Sequence, residues 1–164
     1  MIKRGLELLC TVLKVTLTIL VGALVIPVAM QVIARYTGII PVYLWTEELA
    51  TFIFVWVVMI GSVLAVWDNT HFDVQVLPDS SNPLILLIQR SIVYLLVGGF
   101  GAMFTWYGID YAKFGGIQHS VMMNANLLIT HITVPFAGLL WCVFSLFKFA
   151  EAFQIYKSSK GITQ

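Results

Sequence analysis

Four long stretches free of Asp, Glu, Lys and Arg govern what this chain can become: residues 15–34, 49–67, 91–109 and 114–147. About 20 apolar residues, rising roughly 1.5 Å each as helix, cross the hydrocarbon core of a bilayer. A helix is favoured there because it satisfies its backbone donors and acceptors internally. The last stretch would make about 50 Å of helix, too long for one crossing. Gly115, Gly116, Asn124 and Asn126 are turn or cap residues. They predict a loop, and a fourth helix only after it. The reading is therefore an all-α integral membrane protein with helices at about 10–36, 46–67, 83–110 and 126–150. These form a single four-helix transmembrane domain over 1–164.

Composition agrees. Of 164 residues, 60% are hydrophobic and only 10% charged, with a mean hydropathy of +0.94. A water-soluble domain carries about a quarter of its residues charged, so a soluble enzyme is excluded. Nine Lys and Arg against eight Asp and Glu leave a formal charge of +1, so no basic surface can hold nucleic acid by counterion release. Cys10 and Cys142 lie far apart in apolar sequence, which makes neither a disulfide framework nor a metal or redox motif.

Local chemistry marks the helix ends. Asn82 followed by Pro83 predicts the start of the third helix. That leaves Arg90 about two turns inside, where its guanidinium can snorkel to the headgroups. Thr46 is expected to cap the second helix, placing Glu47 and Glu48 in a first turn where the helix dipole favours anions. Upstream of the first run, Leu6, Leu9 and Leu13 share one helical face while Glu7, Thr11 and Lys14 share another. This predicts an amphipathic start at the membrane interface. The first run is longer than a signal-peptide core and is expected to stay in the protein. Lys3, Arg4, Lys14, Arg90, Lys148, Lys157 and Lys160 fall on one side of the membrane, with only Arg35 and Lys113 on the other. The positive-inside rule then places both termini in the cytoplasm.

Ionisable groups at membrane depth are costly, which singles out Arg35, Glu47 and Glu48. The end of the first helix faces the start of the second, so Arg35 is expected to pair with Glu47 or Glu48 as a structural clamp. A proton relay would need a chain of titratable partners across the membrane. On the second helix Glu47, Ala50, Thr51, Phe54, Val58, Gly61 and Ala65 recur at spacings of three and four. Gly61 and Ala65 form a pair of small residues that permits close approach by another helix, and Gly98 and Ala102 form a second. Both faces are expected to pack on protein.

The histidines His71, His119 and His131 do not align as haem or metal ligands on facing helices, so no cofactor, metal or catalytic site is expected. Aromatic side chains, among them Tyr36, Tyr43 and Trp45, cluster at the helix ends as an interfacial belt. Pro27 and Pro135 interrupt two spans. Mid-membrane polarity is confined to Gln31, Thr51, Ser62, Thr105 and little else. A solute pathway needs a polar lining, so a scaffold or accessory role fits better than a transporter acting alone. The rivals are a small homo-oligomeric exporter and a membrane electron carrier.

The run from Arg35 and Tyr36 through Trp45, Thr46, Glu47, Glu48, Leu49 to Phe54, Val55, Trp56 and Gly61, followed by His71, Phe72, Asp73 and Val74, resembles a known family. It is similar to the DctQ-type small membrane subunit of tripartite ATP-independent periplasmic (TRAP) transporters. The motif likeness covers about residues 30–80, and the length and four-helix plan match throughout. The resemblance implies a bacterial inner-membrane protein that partners a large multispan transport subunit and a periplasmic substrate-binding protein. It also implies uptake of an organic acid by symport with an ion, commonly sodium. By the same resemblance the large subunit moves substrate in an elevator-like manner, and the small subunit would be its fixed scaffold.

Overall fold

The computed structural model describes residues 2–38, 41, 43–68 and 83–161. The segment 69–82, which carries His71, Phe72 and Asp73, lies outside the described residues. Five helices follow one another: α1 Ile2–Thr37, α2 Leu44–Trp67, α3 Pro83–Ile117, the single turn α4 Leu128–His131, and α5 Thr133–Gly161. Four helical stretches are long and apolar enough to span a membrane, with α4 and α5 together supplying the fourth.

The boundaries depart from the sequence expectation in ways that have local causes. Helix α1 begins at Ile2 and continues unbroken into the span through Pro27, because the amphipathic start has a protein surface to cover. Leu6, Leu9, Cys10 and Leu13 join the hydrophobic core rather than lying flat on a membrane surface. Helix α3 runs seven residues beyond the expected 110, to Ile117, straight through Gly115 and Gly116. Glycine costs a helix about 1 kcal/mol relative to alanine. At Gly115 that cost has a return, since a Cβ there would stand 2.5 Å from Cγ of His131. Thr46 does not cap α2. The helix starts two residues earlier, and the Thr46 hydroxyl donates to the Tyr43 carbonyl at 2.7 Å. Between α4 and α5 the backbone stays helical at Ile132, whose N–H donates to the Leu128 carbonyl at 2.9 Å and whose carbonyl accepts from the Phe136 N–H at 3.2 Å. Pro135, three residues on, has no N–H to give to the preceding turn.

The helices stand in a row rather than in a closed bundle: α1 packs on α2, α2 on α5, and α5 on α3. The inward positions repeat every seven residues. On α1 they are Leu6, Cys10, Leu13, Leu17, Leu20, Leu24, Pro27, Gln31 and Ala34, all buried or half-buried. On α2 they are Thr46, Leu49, Ile53, Trp56, Ile60, Val63 and Trp67. A seven-residue period keeps a seam facing its partner when two helices cross at the shallow angle of left-handed packing.

Candidate functional site

The end of the row away from the termini carries an open polar cleft. There α2 begins beside the loop that joins α3 to α4. That loop is tied by its own backbone: the Ser120 N–H donates to the Ala125 carbonyl at 2.8 Å and the Leu127 N–H to the Gln118 carbonyl at 3.0 Å. Asn124 takes a left-handed backbone conformation, φ 51°, which asparagine tolerates better than most residues. The Asn126 side chain donates to the Gly116 carbonyl at 3.1 Å and accepts from the Leu128 N–H at 2.8 Å. One amide thus closes α3 and opens α4.

Glu48 holds this loop against α2. Its two carboxylate oxygens accept the backbone N–H groups of Met122 at 3.0 Å and Met123 at 2.9 Å. The expected clamp to Arg35 is not made. Among the described residues Arg35 forms no ion pair, and neither does Glu47. The loop amides satisfy the Glu48 carboxylate with two fixed donors, without ordering a long arginine side chain. Glu47, Glu48, Thr51, Gln118, His119 and Ser120 face an open cleft of about 700 Å³, completed by apolar side chains that include Leu44, Phe52 and Leu127.

The packing faces read from the sequence fare differently on the two helices. On α3, Gly98 lies against Ser145, whose Oγ would be 2.8 Å from an added Cβ. Ala102, its expected partner, is exposed. The true seam is Gly98, Gly101, Thr105, Gly108, Ala112 and Gly115, set against His131, Pro135, Gly138, Cys142 and Ser145 of α4 and α5. A Cβ on Gly101 would meet the Gly138 carbonyl oxygen at 2.8 Å, and one on Gly108 would meet the Pro135 nitrogen at 2.8 Å. Sequence reasoning missed this seam although its spacing of three and four was there to read. On α2 the stripe of Phe54 and Val58 is exposed, Ala50 and Ala65 are half-buried, and Gly61 has open space where a Cβ would stand. Among the described residues, no atom comes within 4 Å of a Cβ placed on Gly61.

Of the family-motif residues, Tyr36 is 82% exposed and Trp45 is exposed beside Tyr43, ring centroids 6.2 Å apart. Trp56 ties α2 to α4: its indole N–H donates to the Ile129 carbonyl at 3.0 Å. His71 and Asp73 lie outside the described residues.

The end bearing both termini holds ion pairs that the sequence reading did not single out. Lys14 meets Asp68 at 3.0 Å, joining α1 to the residue that caps the end of α2. Lys3 meets Glu151 at 3.1 Å, joining α1 to α5. Lys148 lies 5.0 Å over the Trp67 ring and so reaches from α5 to α2. These pairs are far apart in sequence, so spacing alone carries no signal for them.

Most buried polar side chains among the described residues are satisfied locally. Thr46, Thr130, His131, Thr133 and Ser145 each hydrogen-bond to a backbone carbonyl within four residues. The buried Gln31 Nε2 and Trp141 Nε1 have no hydrogen-bond partner among the described residues. They sit on α1 and α5, which are separated in the row by α2. No group of three or more His, Cys, Asp or Glu that could hold a metal occurs among the described residues.

Comparison with known proteins places this architecture. Residues 24–155 match the family model for the DctQ component of tripartite ATP-independent periplasmic transporters. A Haemophilus influenzae protein that carries the name TRAP transporter small permease protein is 27% identical over 135 residues, covering 77% of this chain and 79% of that one.

Proposed function

Because the chain belongs to the DctQ family of TRAP transporter components, we propose that it is the scaffold on which a large multispan subunit imports an organic acid. It is a multi-pass membrane protein and a transporter component, not an enzyme. In this reading a periplasmic binding protein delivers the acid, an ion gradient drives uptake, and the chain sits in the bacterial inner membrane with both termini in the cytoplasm. The large subunit rests on the α2 stripe of Ala50, Phe54, Val58, Gly61 and Ala65.

The observation that carries the reading is that Thr46, Thr130, His131, Thr133 and Ser145 each bond to a carbonyl of their own turn, while the two buried polar groups left over, on Gln31 and Trp141, sit on different helices and line no shared path. A charged solute crossing the membrane needs side chains or broken backbone aimed at a wet path. Here those groups bond within their own turn. The stripe on α2, exposed at Phe54 and Val58, supports a protein neighbour, because tight dispersion contacts hold membrane helices together and Gly61 lets a partner backbone come close. Reconstitution tests the proposal. Vesicles holding this chain alone should accumulate no organic acid, whereas vesicles that also hold the large subunit, with binding protein and an ion gradient, should. Accumulation by the isolated chain would overturn the scaffold reading and favour a small self-sufficient transporter.

A further inference from the structure

We propose that the cleft between α2 and the 118–127 loop is a binding site for a phospholipid with a primary-amine headgroup. Two adjacent carboxylates meet this cleft and are differently employed. Glu48 is engaged by the Met122 and Met123 amides and so shapes the wall. Glu47 lines the same cleft, is exposed, and has no ion pair among the described residues. An ionised carboxylate can only accept hydrogen bonds, and its strongest partners are cationic donors.

The position of the cleft selects the source of that cation. Glu47 lies in the first turn of a membrane-spanning helix, flanked by Tyr43 and Trp45, whose rings belong at headgroup depth. Leu44, Phe52 and Leu127 supply apolar wall next to the charge, as a molecule needs whose ammonium head continues into hydrocarbon. A quaternary choline head has no N–H to donate, and an anionic head would meet two like charges. A volume of about 700 Å³ accommodates such a headgroup with the start of its chains. This site does not depend on the transport role.

The test uses the full chain, purified in mild detergent and offered equal amounts of phosphatidylethanolamine, phosphatidylcholine and phosphatidylglycerol with identical acyl chains. Native mass spectrometry counts the lipid retained. Phosphatidylethanolamine should exceed each of the others by about fivefold, the scale of one partly exposed ion pair, and E47Q should abolish the preference. A second measurement needs no variant: N-acetylated phosphatidylethanolamine, which lacks the ammonium, should fall to the level of phosphatidylcholine. Equal retention of the three lipids, a preference that persists in E47Q, or undiminished binding of the acetylated lipid would each overturn the site. So would Glu47-dependent capture of the large subunit without lipid preference, which would assign the cleft to a cation on a protein.

Discussion

Glu47 and Glu48 are neighbours in sequence with unlike surroundings, and the difference comes from a loop more than 70 positions away. Glu48→Gln removes the charge that strengthens the bonds from Met122 and Met123. Hydrogen exchange should speed up at those two amides and stay unchanged at Leu127, whose N–H goes to the Gln118 carbonyl. Unchanged exchange at Met122 and Met123 would mean that Glu48 does not hold the loop. A second residue-scale outcome concerns Arg35, which has no ion pair among the described residues although the sequence nominates it. Arg35→Ala should leave the thermal stability of the isolated chain unchanged, while Lys14→Glu should lower it and Lys14→Glu with Asp68→Lys should recover most of the loss. The sequence could nominate Arg35 because adjacent helix ends must lie close. It could not nominate Lys14 with Asp68, because which helix faces overlap at the other end depends on packing.

At the scale of elements, the α3–α5 contact is the tightest seam, and its cause lies in the solvent. In lipid, apolar side chains gain nothing by leaving the surroundings for a helix interface, so association rests on close packing. Small residues provide it: Gly101 and Gly138 bring the two backbones together, and the Cys142 thiol donates to the Gly98 carbonyl at 3.4 Å. Gly101→Ala places a Cβ against backbone on two sides and should destabilise the chain by about 1–3 kcal/mol, the usual cost of overpacking. Gly99→Ala, with open space at its Cβ, should be neutral or slightly stabilising. Thermal unfolding in detergent separates them; similar losses in both would show that the seam is not where the glycines matter. The sequence reading found Gly98 but joined it to Ala102, one residue past the correct neighbour Gly101. On α2 it chose the stripe beginning at Glu47, which lies one position from the buried stripe beginning at Thr46. Both stripes have the same spacing, and in helices this uniformly apolar nothing in the pattern says which faces lipid and which faces protein.

At the scale of the molecule, the row leaves α1 and α3 at its two ends and groups the termini together. Cysteines placed at Lys3 and Lys157, in a background lacking the native thiols, should react with an impermeant maleimide from the same side of sealed vesicles. A cysteine at Val121, 85% exposed in the loop, should react from the other side. Labelling of all three from one face would rule out this topology. Gly61→Phe puts a bulky ring where no atom of the described residues lies within 4 Å of the added Cβ. It should leave the stability of the isolated chain within about 0.5 kcal/mol while reducing recovery of the large subunit in co-purification. Undiminished recovery would move the interface away from α2.

Sequence alone determined that this is a four-span helical membrane protein of the DctQ kind. Span number follows from runs of uncharged residues matched to bilayer thickness, and family from local motifs such as those between Arg35 and Gly61. Only the tertiary structure decided that the helices form a row, that the amphipathic start of α1 covers protein, that Glu48 binds loop amides, and that Gly101 rather than Ala102 meets α5. The physical reason is the same in each case. The bilayer rewards any apolar helix for crossing it, whereas the choice of neighbour turns on contacts between residues distant in sequence.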